Sequence, residues 1–496
     1  MNIYKTKFKL FFIGALLLAV SCDGFLDVNE DPTAPDEVPE NLQLSALLGA
    51  FSYEVIGNEP ARTPNLWVQQ LAWSGFQENH ADSYYFIESD PNNLWNQTYT
   101  EVLNNAVQLN ERAEENENYS YAGMSKVIQA WSFAILTDLF DEVPYTEAFN
   151  PLPEGTATPE YDSQEFVYDQ IFELLQNALN DFDAGDQTVS PGPDDLLYGG
   201  DIEQWRRLTN SLLARYHLKL IHAPGKDVTE QSNNALNALA NGFVSNADDA
   251  DFQYYNNPGE ENPWYQFAID GKWDTRDQLS DHYINLLQEL DDPRLSIQAR
   301  PVGTVDNNGL VSGFDPEPDS IIYAGNVNGT DGGGASDFSS IGAFYSSADA
   351  PLNWMSFAET KFIEAEATLR TGGDAQPIYE DAIRANMEKL GVAEGDINNY
   401  INALPALSVS GDAINEIITQ KYIANFLSLE NYNDWRRTSF PELVPVEDPY
   451  NPSGEIPVRY PYPNSEYANN ADNVEETGIP IGLSSLNIPV WWDTTE

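Results

Sequence analysis

The stretch from Asn353 to Leu390 most restricts the folds open to this chain. Trp354, Ala358, Phe362, Ala365 and Leu369 recur at steps of 4, 4, 3 and 4 residues. That spacing places them on one face of an α-helix and turns Glu359, Lys361, Glu364, Glu366 and Arg370 elsewhere. Thr371-Gly372-Gly373-Asp374 ends the helix, because glycine tolerates the positive φ of a helix stop. Ala375, Tyr379 and Ala382 then begin a second helix at steps of 4 and 3, with small residues that let two backbones approach closely. The spacing predicts a helix hairpin.

The same period recurs elsewhere. Leu42 to Val55 reads as the first helix. Trp95, Tyr99, Val102, Ala106, Leu109 and Ala113 share a face, and Ala122 to Phe140 buries Met124, Val127, Ile128, Trp131, Ile135 and Leu139; the two form a hairpin. Ser163 before Gln164-Glu165 caps a third helix, whose inward residues run from Val167 to Phe182. Helices are also expected over Trp205–Ile221, Ala235–Ala240, Asp281–Leu290 and Asp412–Leu429. Between them the pattern fails. Leu66 to Phe86 and Asp248 to Asp277 are rich in aromatic residues among polar ones. Arg294 to Ala350 is glycine- and asparagine-rich, with short apolar pieces such as Ser320 to Tyr323, and reads as long loops with a few strands. The tail from Pro441 is proline-rich and irregular. The expectation is a mostly α fold in one domain, residues 41–496. Its loop excursions, at about 66–90 and 248–350, are long enough to suggest binding elements.

Composition decides what such a fold can meet. A hydrophobic share of 42% supports a real core, while 79 acidic against 23 basic residues give a net charge of −56. A surface of that sign repels phosphate backbones, so nucleic acid is excluded as a natural partner. Lys5, Lys7 and Lys9 precede an apolar run from Leu10 to Val20, then Ser21 and Cys22, the form of an export signal. Cys22 is the only cysteine, so no internal disulfide is possible. Leu18-Ala19-Val20-Ser21-Cys22 resembles a bacterial lipoprotein cleavage box. It implies a signal peptide over 1–21, a lipidated Cys22 and an acidic, proline-dotted tether to residue 40.

Ala375, Tyr379 and Ala382 resemble the A-x3-[FY]-x2-A pattern of a tetratricopeptide unit. More widely, LTDLFDEVPYTEAF (136–149), EQWRRLTNSLLARYHLKL (203–220), MSFAETKFIEAEATLR (355–370), NYNDWRRTSFPEL (431–443), RYPYPNSEYANNADNV (459–474) and PVWWD (489–493) resemble segments of the SusD/RagB family. These are surface lipoproteins of Bacteroidetes that capture glycans for an outer-membrane transporter. The resemblance spans essentially the whole mature chain. It implies a right-handed stack of tetratricopeptide-like helix hairpins with the glycan site on loop excursions. The implied partner is a SusC-like TonB-dependent β-barrel, and no cofactor, metal or catalytic group is implied. Asn433, Asp434, Trp435, Arg436 and Arg437 would be structural, the arginines tying carboxylates and carbonyls between the last helix and the tail.

A sugar offers apolar C–H faces and polar rims, so its site needs exposed aromatic plates with amides, carboxylates or guanidinium beside them. Trp73, Tyr84, Trp264 and Trp273 are the expected plates. Gln77, Asn79, Asp82, Asn262 and Arg276 are the expected rim partners, with Tyr345 a further plate. The ligand is expected to be a neutral polysaccharide or oligosaccharide, and the protein not an enzyme. No HExxH, GxSxG or GxxxxGK[ST] occurs, and His217 and His222 stand five apart, off the i, i+4 spacing of a zincin. Asn326 to Asp331 lacks the spacing and the distal Glu of a calcium loop and reads as a solvated loop. Two rivals stand beside the glycan-capture reading: a surface glycoside hydrolase, and a helical-repeat adaptor for protein or peptide.

Overall fold

Several helices in this chain begin where a preceding side chain can accept their orphaned N–H groups. Ser163 accepts from Phe166 N, Asp201 from Glu203 N and Gln204 N, Asp227 from Glu230 N, and Asp412 from Ile414 N and Asn415 N. The computed structural model describes residues 38–75, 80–150, 155–271, 277–330 and 332–494. The expected signal peptide, Cys22 and most of the tether lie outside the described residues.

Helix α1 (Glu40–Ala50) runs on through a wider π-type stretch, Phe51–Ile56. Helix α2 (Glu59–Trp67) leads into strand β1 (Leu71–Trp73). Helix α3 (Asn92–Gln97) continues through a second π-type stretch, Thr98–Leu103, into α4 (Asn104–Glu115). Helix α5 (Tyr119–Phe140) lies at the centre: every residue after Tyr119 is buried, as its all-round apolar sequence requires. It packs between α4 and α6 (Gln164–Ala184). Helix α7 (Ile202–Lys219) packs on α6, and α8 (Val228–Leu239) on α7.

The large excursion follows, from strand β2 (Ala250–Phe252) through α9 (Pro263–Ala268), β3 (Asp277–Leu279) and α10 (Asp281–Glu289). It ends on short strands, α11 (Ala343–Ser346) and a closing strand, Leu352–Met355. The closing strand pairs antiparallel with β2, and β3 pairs antiparallel with β1. The chain then re-enters the scaffold through α12 (Phe357–Arg370), α13 (Gln376–Lys389), α14 (Glu394–Ala403), α15 (Ala413–Ala424) and α16 (Glu430–Thr438). Helix α12 packs on α13, α15, α7 and α8, so it joins the two halves of the stack. Gly372, at φ +80°, sits where the stop after α12 was expected. The main apolar core contains residues of the excursion, such as Phe252, Trp264, Leu279 and Ile341, as well as scaffold residues. Among the described residues no helix is long and apolar enough to cross a membrane.

The structure corrects several expectations. Trp354 is on the strand before α12, not on its helical face; Ser356 caps the helix and accepts from Glu359 N. Its ring fits a cluster with Phe51 (5.0 Å, edge-on) and Phe252 (5.5 Å, stacked). Glu359 and Glu366, off the apolar face, are buried as well. Arg215 donates to both oxygens of Glu359 at 2.8 Å, and Arg437 donates to Glu366 at 2.5 and 2.7 Å. Hydrophobic spacing cannot reveal a helix face built from ion pairs. The same cause hid α16, whose buried residues include Asn431, Asn433, Asp434, Arg436 and Arg437. Arg436 ties the last helix to the tail as expected, donating to Val458 O at 2.9 Å and to Asp138 O at 2.7 Å. Arg437 turns back into the scaffold instead. Ser320 to Tyr323 forms no strand.

One buried acid gives the fold a pH signature. Glu59, in the first turn of α2, accepts from Tyr460 Oη at 3.0 Å. Burial pushes its carboxyl up to about 7, against lowering hydrogen bonds from Thr63 and Tyr460 and the Arg62 charge. Between the ordinary value of 4.5 and about 7, the folded chain keeps a proton that the unfolded chain has released. That contribution to stability is therefore lost as pH rises through this window. Glu59→Gln should be less pH-dependent than wild type when urea midpoints are compared between about pH 5 and pH 8. Equal slopes for the two proteins would contradict this.

Candidate functional site

The two aromatic-rich excursions meet at a two-stranded ladder. Leu71 pairs with Leu279, Ala72 with Gln278 and Trp73 with Asp277, and Gly75 bridges to Gly332. Side-chain amides fix a third segment against this ladder. Asn326 Nδ2 donates to Trp73 O at 2.6 Å, and Asn328 Nδ2 donates to Leu66 O and Leu71 O at 3.0 and 2.8 Å. Both asparagines are buried while Val327 and Thr330 are exposed, so the reading of Asn326 to Asp331 as a solvated loop is corrected at Asn326 and Asn328 alone; Asp331 lies outside the described residues. The two asparagines bond backbone carbonyls of the helix end and of strand β1. Gly325 permits this approach: a Cβ there would lie 2.2 Å from Ser280 O. Asp82 joins the pieces, accepting from Trp73 N at 2.9 Å and Gly329 N at 3.2 Å.

Beside this junction lies an open cleft of about 940 Å³. One wall is the outer face of α10, with Asp281, His282, Asn285 and Glu289. The second is the loop from Val327 to Thr330, and the third is the tail from Val444 to Tyr450. The tail is tied down by Gln69 Nε2 donating to Val444 O (2.7 Å), Val446 N to Tyr84 Oη (3.1 Å) and Tyr450 N to Ser83 O (2.9 Å). Burial pushes the Tyr84 phenol up to about 12, so it stays neutral. Tyr450 is 40% exposed and meets Tyr85 edge-on at 5.6 Å, while Val327 and Val444 are exposed. An aromatic ring and apolar edges thus border a lining of amides, hydroxyls and carboxylates. That mixture suits an uncharged polyhydroxyl ligand. A smaller cavity of about 80 Å³ is lined by Trp264, Phe344, Tyr345, Trp354, Asp251 and Lys389 among others. It brings together two expected plates, Trp264 and Tyr345. Among the described residues no group of three His, Cys, Asp or Glu side chains could hold a metal ion.

The expected site residues divide into three sets. Trp73 (8% exposed), Tyr84 (1%) and Trp264 (1%) are buried, so they are not open plates. The Trp73 ring stacks on His80 at 3.6 Å, and Trp264 belongs to the core. Asp82 and Asn262 are buried too, and both bond to backbone: Asn262 accepts from Trp264 N at 2.8 Å and donates to Ala350 O at 3.0 Å. Burial has a simple cause here. An excursion this long must be anchored to the main core, and rings such as Tyr84 and Trp264 supply the contact. Tyr345 is half-buried, with its ring 5.0 Å from both Phe344 and Phe426. Gln77, Asn79, Trp273 and Arg276 lie outside the described residues. Gln77 and Asn79 fall between Gly75 and His80, and Trp273 and Arg276 between Gly271 and Asp277, the partner of Trp73. Sequence reasoning missed the tail wall and Asn285. The available signal was Tyr450-Asn451 between Pro449 and Pro452, a fixed turn carrying a ring and an amide.

A helical stack that presents a polar, aromatic-edged cleft on looped excursions defines a ligand-binding scaffold. Residues 36–463 match the SusD-like family described as starch-binding and associating with the outer membrane, and the chain belongs to that family. Similar solved structures include a SusD/RagB family protein from Bacteroides thetaiotaomicron, 24% identical, with a TM-score of 0.78 over 93% of this chain and 100% of the other. A chitin-binding protein is 25% identical, with a TM-score of 0.75 over 92% of this chain and 100% of the other. A chitin-binding SusD homolog from Flavobacterium johnsoniae is 24% identical, with a TM-score of 0.74 over 92% and 98%. No curated protein matches the chain.

Proposed function

We propose that this protein captures a polysaccharide or oligosaccharide at the cell surface and passes it to a SusC-like TonB-dependent transporter, without altering it. The observation that carries this reading is the open cleft where both excursions and the tail converge, in a chain whose family is described as starch-binding. Two similar structures described as chitin-binding favour the same ligand class. Tyr450 would lie against a sugar face, and Asn285 and the α10 carboxylates would meet its hydroxyls. Lipidation of Cys22 and the acidic tether to residue 40 would hold the domain on the outer membrane beside its transporter. Of the expected contacts, Trp73, Tyr84 and Asp82 act on this reading as supports behind the ligand surface, while Asn262 holds the turn into α9. Trp273, Gln77, Asn79 and Arg276 would add to the surface itself.

A screen of the purified protein against neutral polysaccharides by affinity electrophoresis tests the reading. Retardation by starch-like or chitin-like polymers, with no reducing ends released, is the expected result. Binding to none of them would overturn it, and release of reducing ends would move the protein among the hydrolases.

A further inference from the structure

The charge of the cleft lining is one-sided. Asp281, Glu289, Glu447 and Asp448 all line it, and among the described residues no Lys or Arg does. Among the described residues none of the four is ion-paired. Asp281 accepts only a neutral amide, Asn285 Nδ2, at 2.8 Å. Glu289, Glu447 and Asp448 are exposed into the opening. The one histidine in the lining, His282, is held below the ordinary imidazole range by burial, against the raising effect of Asp281 and Glu289. Elsewhere the fold neutralises carboxylates with care: Glu359, Glu366, Asp248 and Asp292 each have an arginine partner. The cleft carboxylates do not converge on a metal-sized point. They are spread over two walls, as suits a row of separate positive charges.

We infer that the cleft selects saccharides bearing protonated amines, such as glucosamine polymers, over neutral ones and excludes polyanionic ones such as uronates. This rests on the glycan-capture reading above. A protonated amine beside an exposed carboxylate gains an ion pair that a hydroxyl or an N-acetyl group does not. A uronate in the same place meets like charge, and the net charge of −56 adds to its exclusion.

Calorimetric titration of the purified protein with oligomers of equal length, made of glucosamine, N-acetylglucosamine or galacturonate, tests the inference. At about pH 5.5 and low salt the amines and the carboxylates are both charged. The glucosamine oligomer is expected to bind about tenfold tighter than the N-acetylated one, and the galacturonate not measurably. The triple variant Glu289→Gln, Glu447→Gln, Asp448→Asn should bring the ratio of the first two affinities towards one. Asp169→Asn, Glu173→Gln and Glu394→Gln together remove the same charge from exposed scaffold positions and should leave that ratio unchanged. A wild-type ratio of one or less would overturn the inference and leave glycan capture standing. So would a preference that survives the cleft triple variant, because it would then belong to the whole-molecule field. Failure to bind any of the three oligomers would overturn the inference, and glycan capture would then stand or fall on the polysaccharide screen above.

Discussion

Arg294→Ala is expected to destabilise the fold by about 3–5 kcal/mol, because it leaves a buried carboxylate without its counter-charge. Arg294 is fully buried where the excursion runs past the last scaffold helices. Its Nε and Nη2 donate to the Asp292 carboxylate at 2.9 and 2.6 Å. Its Nη1 donates to Asn386 Oδ1 on α13 at 3.0 Å, and Nη2 donates to Gln420 Oε1 on α15 at 2.7 Å. One guanidinium thus joins the excursion to two helices with planar, charge-assisted hydrogen bonds. Truncation removes all of these and strands Asp292. Asp292→Asn in the same background should recover part of the loss, because the stranded charge is gone. Urea unfolding checks both. A cost below about 1 kcal/mol would be that of an exposed pair and would contradict this account of the junction.

Tyr450→Ala is expected to weaken saccharide binding about tenfold while leaving the unfolding midpoint nearly unchanged. The ring is 40% exposed at the cleft mouth, so little core packing is lost with it. An aromatic face against an apolar surface contributes about 0.5–1.5 kcal/mol beyond burial, the upper end of which is tenfold. Tyr450→Phe should bind close to wild type if the ring face does the work. Trp264→Ala should behave in the opposite way, with a large loss of stability from an emptied core position. A Tyr450→Ala protein with unaltered affinity would remove the tail wall from the site.

The scaffold was legible in the sequence because its helices bury apolar faces at the helical period. Ala122–Phe140, the helix opened by Ser163, and the Asn353–Leu390 hairpin all show this. The lapses fall where polar residues do the burying. Helix α16 and the inner face of α12 are held by Arg437, Glu366, Arg215 and Glu359, and charged residues read from sequence as surface. The site was legible only in its location. Trp73 and the segment ending at Asp277 were singled out separately, and the structure makes them strand partners. Which rings stay open was not legible, because an aromatic residue in a loop has the same letter whether it joins the main core, as Trp264 does, or edges a cleft, as Tyr450 does. The tail wall is assigned by contacts such as that of Tyr84 with Val446, 362 residues apart, which no local pattern carries.

Amide hydrogen exchange of the purified protein, with and without a saturating amount of the best-bound oligosaccharide, tests the cleft as the capture site. Slowed exchange concentrated in Asp281–Glu289, Val327–Thr330 and Val444–Tyr450 is the predicted result. Protection confined to scaffold helices such as α13 and α15, with those three segments unaffected, would contradict it.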